Sequence, residues 1–421
     1  MGEIYRAKRY PSRFAGATTK GPDICLGWES DEAELLDEGV TLVGKQLAVG
    51  VIFGGRSGEH EVSLRSAAAI LSALKPEKYR AVPIGITRAG IWVVGDAASE
   101  MLASASSALD RSAGGAGSAA IAPAHPAQAL NSLAGVLGEL DVAFPVLHGT
   151  YGEDGAIQGL FEMLNLPYVG CGVLASAVGM DKIVMKQLFQ QAGLPIVAFR
   201  WFSRYDWMTQ GEALMDDISR ELGFPMFVKP ANLGSSVGIT RVEEPASFSA
   251  AVELAARYDR RIIVEKGYDV REIEVSVIGN DQPEASLPGE IISGATFYDY
   301  ADKYSPDSQS RLVIPAPLSQ EQTERIRALA TRAFQAIDGA GLARADFFLL
   351  RPTNEIVVNE INTMPGFTRI SMYPKLWEAG GRSLATILDQ LIDLALARHA
   401  EKAKLARGFA PETACGGGVF N

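Results

Sequence analysis

Apolar runs alternate with amphipathic segments through the first part of the chain. The run QLAVGVIFGG (46–55) is rich in β-branched residues and stops at a glycine pair, which is typical of a buried strand in a parallel sheet. Helical periodicity follows at 63–79, a strand and hairpin are predicted at 80–94, another strand at 140–149, and a second helix at 155–166. This alternation predicts a doubly wound α/β domain over residues 45–178.

The pattern changes after residue 180. An amphipathic helix at 181–195 stops at Gly-Leu-Pro, and several strand-like runs follow, some of which we expect to be antiparallel. A further helix begins at Ser319, because Ser319 and Gln322 have the spacing of a capping box and the apolar residues after them share one face. The last predicted elements are a hairpin centred on Thr353 and a helix at 383–402.

Three stretches lie outside this pattern. Residues 1–44 mix charges with Gly, Pro and Ser and lack the apolar core of a secretory signal, so we expect a poorly ordered extension there. Residues 97–133 are rich in Ala, Ser and Gly, which predicts a low-complexity insertion with at most a weak helix. Residues 403–421 end in CGGGVFN and are predicted to form a tail.

Composition argues against several classes of function. The formal net charge is -11 and no block of Lys or Arg occurs, so we expect no nucleic-acid partner. No stretch reaches about 18 consecutive apolar residues, so no membrane span is predicted. The three cysteines are far apart and form no C-x-x-C pair. A disulfide framework and a cysteine metal site are therefore not expected, and the reducing cytoplasm is the expected location.

The stretch FVKPANLGSSVGITRV (227–242) places Lys229 ahead of a turn rich in glycine and serine. It is not a P-loop, because that motif has its lysine after the glycines and opens a helix. The stretch predicts a glycine-rich hairpin lying over a nucleotide, with a surface hairpin as the alternative. Lys182 and Lys303 also lie beside turns or helix starts, and with Lys229 they favour a nucleotide triphosphate as ligand.

The predicted hairpin ARADFFLL–RPTN–EIVVNEIN carries a group of polar side chains. A register symmetric about Thr353 places Asp346 opposite Glu360 and Arg344 opposite Asn362, and all four share a face because strand side chains alternate. Like charges directly opposite each other destabilise a sheet, and oxygen ligands of this kind suit Mg²⁺. The hairpin therefore predicts a metal site, with a solvated polar face as the alternative.

Two turns follow predicted strands at the edge where open α/β sheets bind ligands. One of them, LHGTYGEDGAIQG (147–159), brings His148 and two acids, Glu153 and Asp154, near a helix N-terminus. Helix capping is the alternative role for these acids, and it is favoured for Asp154. The other turn, GGRSGEHEVS, lacks the G-x-G-x-x-G order, and its Glu59 could be an ordinary acid at a helix start.

These motifs together resemble the D-alanine–D-alanine ligases of the ATP-grasp superfamily. They span residues 47–381 and read GGRSGEHEVSLRSA, LHGTYGEDGAIQGLFEMLNLPYVG, MDK, FVKPANLGSSVG, VEKGY, GATFYDYADKY, RADFF and NEINTMPGFTRIS. The resemblance implies a pre-ATP-grasp substrate-binding domain at 45–178, followed by a two-lobed ATP-grasp α+β fold with lobes at 179–260 and 261–402. It also implies ATP as co-substrate, two Mg²⁺ (or Mn²⁺) ions, a homodimer and a cytoplasmic enzyme.

The resemblance assigns an ATP site. It implies that the glycine-rich hairpin is a lid over the β- and γ-phosphates, that Glu265 meets the exocyclic amine of adenine, and that Glu272 meets the ribose. The two metal ions would be bound by Asp346, Glu360 and Asn362. The full set implied for ATP is Lys182, Lys229, Ser235, Ser236, Glu265, Lys266, Tyr268, Glu272 and Lys303.

The resemblance also assigns two substrate sites. Glu59 would hold the ammonium group of the first D-alanine, and Arg344 would stabilise the oxyanion of the reaction. Tyr304, on a mobile loop with Lys303, would reach toward Glu59 and Ser235. The remaining implied contacts are Val62, Ser63 and His148 for the first substrate, and Gly366 and Ser371 for the second.

Several alternatives remain at this stage. Relatives that form D-alanyl-D-lactate tend to have a histidine where this chain has Tyr304, so Tyr304 favours D-alanine as the second substrate. D-alanine–D-serine ligation, another ATP-grasp ligation of a carboxylate to an amine, and an inactive nucleotide-binding regulator are the other hypotheses. Arg369 and Ile370 lie where relatives often vary, and the sequence does not decide their effect on specificity.

Overall fold

The computed structural model describes residues 46–107, 137–234, 237–292, 310–351 and 353–406. The predicted N-terminal extension, most of the low-complexity insertion and the tail beyond residue 406 lie outside these ranges. So do four predicted site residues, Ser235, Ser236, Lys303 and Tyr304. Among the helices of the described part, none is long and apolar enough to cross a bilayer.

The first sheet has four strands in the order β3-β2-β1-β4. Strand β1 pairs in parallel with β2 and β4, and β3 is antiparallel to β2. Alternate residues of β1 enter two different apolar clusters, so helices cover both faces of the sheet. This arrangement confirms the doubly wound α/β prediction. The elements are β1 Leu47–Gly54, α1 His60–Ala73, β2 Tyr79–Ile86, β3 Trp92–Val94, α2 Asp96–Ser107, β4 Val142–Pro145, α3 Ala156–Met163 and α4 Val173–Met180.

Helix α2 corrects one prediction. The segment from residue 97 was expected to be a loop-like insertion with at most a weak helix, yet its first part is a regular helix. Alanine has the highest helix propensity, and Ala98 is completely buried in the core. The sulfur of Met101 lies close to Gly85 on strand β2. Tertiary packing therefore stabilises a segment whose composition alone indicated a loop.

The second sheet has the order β5-β8-β6-β7 and is antiparallel throughout. Its strand β8 falls after residue 260, where the C-terminal lobe was predicted to begin. Because β8 pairs with both β5 and β6, it lies inside this sheet, and the proposed boundary moves to the turn at 267–269. The elements are α5 Lys182–Gln191, β5 Phe199–Ser203, α6 Arg204–Leu222, β6 Met226–Pro230, β7 Thr240–Val242, α7 Phe248–Ala256 and β8 Arg261–Lys266.

The third sheet has the order β12-β11-β9-β13-β14, with β10 pairing to β9, and all its pairs are antiparallel. The capping box is confirmed, because the Ser319 hydroxyl accepts the Gln322 N–H and the Gln322 side chain accepts the Ser319 N–H. The elements are β9 Val270–Gly279, β10 Glu284–Ala285, β11 Gly289–Ile292, β12 Arg311–Val313, α8 Gln320–Ala336, β13 Gly341–Leu350, β14 Ile356–Asn362, α9 Met372–Ala379 and α10 Leu384–Ala403.

The hairpin register is confirmed where the site lies. Arg344 pairs with Asn362, and Asp346 pairs with Glu360. Beyond Asp346 the symmetric register is wrong by one residue, because an irregularity in the ladder makes Phe347 pair with Val358. The apolar face of the hairpin is buried as expected, so the polar face is the one that remains available for a ligand.

Candidate active site

A row of three carboxylates crosses the third sheet. Asp346 on β13 has Glu360 opposite it on β14 and Glu274 opposite it on β9. The Arg344 side chain donates to both oxygens of Asp346, at 2.7 and 2.6 Å, and its Nε lies 3.0 Å from Glu274 Oε2. Glu360 is 3.7 Å from the ammonium nitrogen of Lys182. Two cations from different elements thus offset charges that would otherwise repel.

The ionisation of Arg344 follows from these neighbours. Burial by itself would lower its pKa, but the carboxylates of Asp346 and Glu274 outweigh burial and raise the pKa well above the ordinary value. Arg344 is therefore a permanent cation with strong donors at the centre of the polar face. Its two hydrogen bonds to Asp346 use Nε and Nη2 of the guanidinium group.

A second charged group centres on Glu265 of β8 and includes Lys229 of the glycine-rich hairpin. The carboxylate of Glu265 accepts from Lys229 at 2.7 Å and lies 3.0 Å from Lys186, and all three side chains are buried. Burial would raise the pKa of Glu265, but the two lysines reverse this and lower it to about 2. Lys182 donates to the carbonyl of Leu233 at 2.7 Å, directly before the described part of the hairpin ends.

The base of the same hairpin is anchored by polar contacts. Asn232 donates its backbone N–H to Asp259 at 2.8 Å and its side-chain amide to Asp259 and Asp181. Arg261 forms an ion pair with Asp181, which also caps helix α5. The start of the hairpin is thereby fixed to both flanking elements.

Three other predicted ATP residues lie at the end of β8 and the start of β9. Lys266 is exposed, and its ammonium nitrogen is 5.4 Å from the ring centroid of Tyr268, which is itself partly exposed. Glu272 is on β9, two residues from Glu274 and therefore on the same face of that strand. Lys266, Tyr268 and Glu272 are therefore all at least partly exposed to solvent.

The turn after β4 carries His148, which is almost fully buried. Its Nδ1 lies 3.1 Å from the carbonyl of Met364, so Nδ1 carries the proton, and Nε2, 3.1 Å from Ser66 Oγ, accepts from that hydroxyl. Burial lowers the pKa of His148, so the ring is neutral. The charges of Glu59 and Arg344 both affect the pKa of His148. Glu59 follows the first sheet's strand β1 and Arg344 is on the third sheet, so residues from the two sheets lie close together here.

Two residues predicted to contact the first substrate have structural roles: Val62 packs in the core, and Ser63 forms hydrogen bonds to the backbone. Val62 is buried, and the Ser63 hydroxyl accepts the Gly54 N–H at 2.7 Å and donates to the carbonyl of Val146. Ser63 therefore ties the end of β1 to the end of β4. Direct contact of Val62 or Ser63 with substrate stays a prediction.

The predicted second-substrate turn is compact. Ser371 Oγ accepts the Thr368 N–H at 3.0 Å and shares a hydrogen bond of 2.8 Å with the Thr368 hydroxyl. A Cβ built at Gly366 would lie only 2.7 Å from Ser371 Oγ, so this turn requires glycine. Asn362 closes the start of the turn by accepting the Met364 N–H at 2.9 Å.

Comparison with known proteins decides the family of this chain. The model described as D-ala D-ala ligase N-terminus matches residues 48–171, and the one described as D-ala D-ala ligase C-terminus matches residues 188–393. The chain belongs to the D-alanine–D-alanine ligase family. Its fold of three sheets, the third of which carries the carboxylate row, is therefore the ATP-grasp ligase architecture that the motifs predicted.

Individual relatives agree with this membership. The D-alanine–D-alanine ligase of Heliobacterium modesticaldum is 49% identical over 361 residues, which is 85% of this chain and 97% of the relative. A solved D-alanine-D-alanine ligase from Coxiella burnetii has a TM-score of 0.70 and 39% identity, and the match covers 85% of this chain and 98% of that one. The VanG D-Ala:D-Ser ligase from Enterococcus faecalis also has a TM-score of 0.70, with 36% identity over 83% and 100% of the two chains.

The sequence analysis missed Lys186, Glu274 and the buried position of Glu153 in this ligase site. A signal for Lys186 was present, because it lies four residues after Lys182 in the apolar stripe of an amphipathic helix, where an unpaired cation would be costly. Glu274 alternates with Glu272, but its neighbours depend on pairing with β13, which sequence spacing does not give. Glu153 resembled a capping acid in the sequence.

We expect Lys186→Met to lower the free energy of unfolding by about 3–5 kcal/mol, the usual cost of breaking a buried ion pair. The reason is that Glu265 keeps Lys229 but loses the cation on its other side. Denaturant unfolding followed by circular dichroism measures the effect. The matched control is Lys404→Met, which removes an exposed pair with Glu401 and should change stability by no more than about 0.5 kcal/mol. Equal stabilities of the two variants would contradict the structural role of Lys186.

Proposed function

We propose that this chain joins two D-alanine molecules into D-alanyl-D-alanine, a precursor of peptidoglycan, and converts ATP to ADP and phosphate. One observation carries the proposal. Lys182 lies beside Glu360 on the face that also holds Arg344 and Asp346, and the charge of Arg344 affects the pKa of the buried His148. A cation that could bind a phosphate, Lys182, and a donor that could stabilise an oxyanion, Arg344, therefore lie around one region. We propose that the small substrates bind there. The relatives named as D-alanine–D-alanine ligases support the choice of D-alanine.

The polar face of the hairpin fits divalent cations. Asp346 and Glu360 are opposite each other and Asn362 follows on the same face, so the donor set is oxygen only, as Mg²⁺ and Mn²⁺ prefer. Within the described residues, no group of three or more His, Cys, Asp or Glu side chains is arranged to hold a metal alone. We therefore propose that these three residues hold the ions together with phosphate oxygens of ATP. The ions would supply charge neutralisation on the triphosphate.

The proposed chemistry has two steps. In the first, a carboxylate oxygen of the first D-alanine attacks the γ-phosphorus, the bond to the β-phosphate oxygen breaks, and an acyl phosphate and ADP form. Lys182 and Lys229 would contact the phosphates: Lys182 donates to the Leu233 carbonyl of the glycine-rich hairpin, and Lys229 is on the first strand of that hairpin. Glu59 would hold the ammonium group of this D-alanine while its carboxylate reacts.

In the second step, the amine of the second D-alanine attacks the carbonyl carbon of the acyl phosphate. A tetrahedral oxyanion forms and collapses with loss of phosphate, which leaves the peptide bond. Arg344 would donate to the oxyanion, since a guanidinium group carries more N–H donors than its two bonds to Asp346 use. Gly366 and Ser371 would receive the carboxylate of the second D-alanine. Acyl phosphates hydrolyse readily, so we propose that water is excluded from the site during this step.

The experiment that tests this function is phosphate release with ATP and Mg²⁺, with products identified by mass spectrometry. D-alanine alone should give the dipeptide, and adding D-lactate or D-serine should leave the dipeptide as the main product. D-serine is included because the VanG relative is a D-Ala:D-Ser ligase. A mixed product in excess of the dipeptide would overturn the role of Tyr304 but keep the fold and the cation site. The absence of phosphate release with all three would overturn the function and favour another carboxylate–amine ligation.

Two further properties remain predictions. We propose a homodimer, which size-exclusion chromatography with light scattering would detect. A cytoplasmic location is expected from the cysteine content and from the proposed substrates, which are small charged molecules used with ATP. Fractionation of cells producing the full chain would test that location.

A further inference from the structure

Glu153 is more deeply buried than helix capping requires. Its side chain is buried, with 7% of the residue exposed, and Oε1 accepts the Gly149 N–H at 2.7 Å. Helix α3 begins only at Ala156, and Asp154, not Glu153, accepts the Ala156 N–H. Glu153 therefore holds the turn between His148 and the helix, and the proposed chemistry has so far given it no role.

Glu153 and Glu59 converge on the same two glycines. A Cβ built at Gly149 would lie 2.9 Å from Glu59 Oε2, while the N–H of Gly149 donates to Glu153. A Cβ built at Gly234, at the start of the lid hairpin, would lie 3.4 Å from Glu59 Oε2 and 3.7 Å from Glu153 Oε1. The two acids therefore lie near each other, close to Gly149 of the turn and Gly234 of the glycine-rich hairpin.

The surroundings decide how much charge this pair carries. Burial, and after it the charge of Glu59, raise the pKa of Glu153 to about 8, against smaller opposing effects of the Gly149 hydrogen bond, Arg344 and Lys182. His148, the nearest imidazole, is neutral. Glu153 is buried and the charge of Glu59 acts on it, so Glu153 keeps its proton at neutral pH.

We propose that Glu59 and Glu153 form a receptor with a single negative charge for the ammonium group of the first D-alanine. In this receptor Glu59 is the carboxylate, and Glu153 is a positioning residue that stays neutral and holds Gly149 against Glu59. One ammonium then meets one negative charge, so binding leaves no uncompensated charge between these side chains. The proposal deepens the proposed function and rests on it for the identity of the ligand.

Three proteins test the positioning role: the wild type, Glu153→Ala and Glu153→Gln. Glu153→Ala should raise the KM for the first D-alanine by at least about tenfold with a much smaller effect on kcat, because the turn loses the acceptor for Gly149. Glu153→Gln should recover most of that loss, because an amide oxygen accepts the same hydrogen bond without a charge. An equal loss in the two variants would mean that the charge of Glu153 is needed, and an unchanged KM in Glu153→Ala would mean that it positions nothing. Either result would overturn the proposal.

A measurement of stability tests the neutral state without relying on activity. A group whose pKa is raised from 4.5 to about 8 on folding binds its proton more tightly in the folded protein, so stability is lost as pH rises through this window. Glu153→Gln has no such loss. The melting temperature of Glu153→Gln minus that of the wild type should therefore increase from pH 5 to pH 8, by at least about 2 °C.

The matched control for the pH series is Glu212→Gln, which changes an exposed glutamate on helix α6 and should give a constant difference. A constant difference for Glu153→Gln as well would mean that Glu153 is ionised throughout, and would overturn the proposal. If the wild type formed no dipeptide but the pH series behaved as expected, the proposed function would fail while the single-charge pair remained. The two failures are therefore distinguishable.

Discussion

Glu360→Ala should lower kcat by at least about a hundredfold and leave a residual rate that no longer responds to Mg²⁺ concentration. Glu360 is opposite Asp346 on the polar face of the hairpin and lies 3.7 Å from Lys182, so its removal takes away one of two facing carboxylates. The remaining Asp346 is already bound by Arg344 and cannot replace it. Phosphate release titrated with MgCl₂ at saturating ATP and D-alanine measures the effect.

The fold should survive this change, because the Glu360 side chain is 35% exposed and its ion pair with Lys182 is long, at 3.7 Å. Its melting temperature should stay close to that of the wild type. Glu355→Ala is the matched control: this glutamate is exposed near the turn of the same hairpin and should leave both kcat and the Mg²⁺ response unchanged. An unchanged Mg²⁺ dependence in Glu360→Ala would contradict the assignment of the hairpin as a cation site.

The hairpin could be predicted from the sequence because its information is local. Side chains alternate with a period of two, and the turn fixes the register, so the pairing of Asp346 with Glu360 follows from spacing alone. The irregularity after Asp346 could not be foreseen, because an extra residue in one strand leaves the alternation of the other intact. The capping box of α8 is local for the same reason, and it was predicted to the residue.

The features that sequence reasoning missed depend on distant parts of the chain. The row of carboxylates includes Glu274 only because β9 pairs with β13, some seventy residues later in the sequence. Strand β8 joins the second sheet through pairing with β5 and β6, which its composition does not specify. Glu153 is buried, and the nearby Glu59 and Gly234 are distant from it in the sequence, so its raised pKa cannot be inferred from its sequence neighbours. The resemblance to a ligase family supplied roles for single residues, but not these contacts.

Arg344→Lys should lower kcat by about a hundredfold to a thousandfold while leaving most of the stability intact. Arginine contacts both oxygens of Asp346 and approaches Glu274 with one planar group, and that group carries more N–H donors than the bonds to Asp346 use. Lysine keeps the charge but is a single compact donor group on a flexible chain, so it cannot make the paired contact and aim a further donor at the same time. Single-turnover formation of the dipeptide, with ATP and D-alanine saturating, measures the loss.

Two further variants separate chemistry from folding. Arg344→Met removes the charge and leaves Asp346 and Glu274, whose side chains are 13% and 11% exposed, without their common partner, so unfolding should become easier by about 3–5 kcal/mol. Arg351→Lys, at an exposed pair with Asp269 near the end of the same hairpin, should change neither kcat nor stability. A kcat within tenfold of the wild type for Arg344→Lys would mean that charge alone suffices at this position. In that case Arg344 would be a counter-ion for the carboxylate row, and the donor to the oxyanion would have to come from another group.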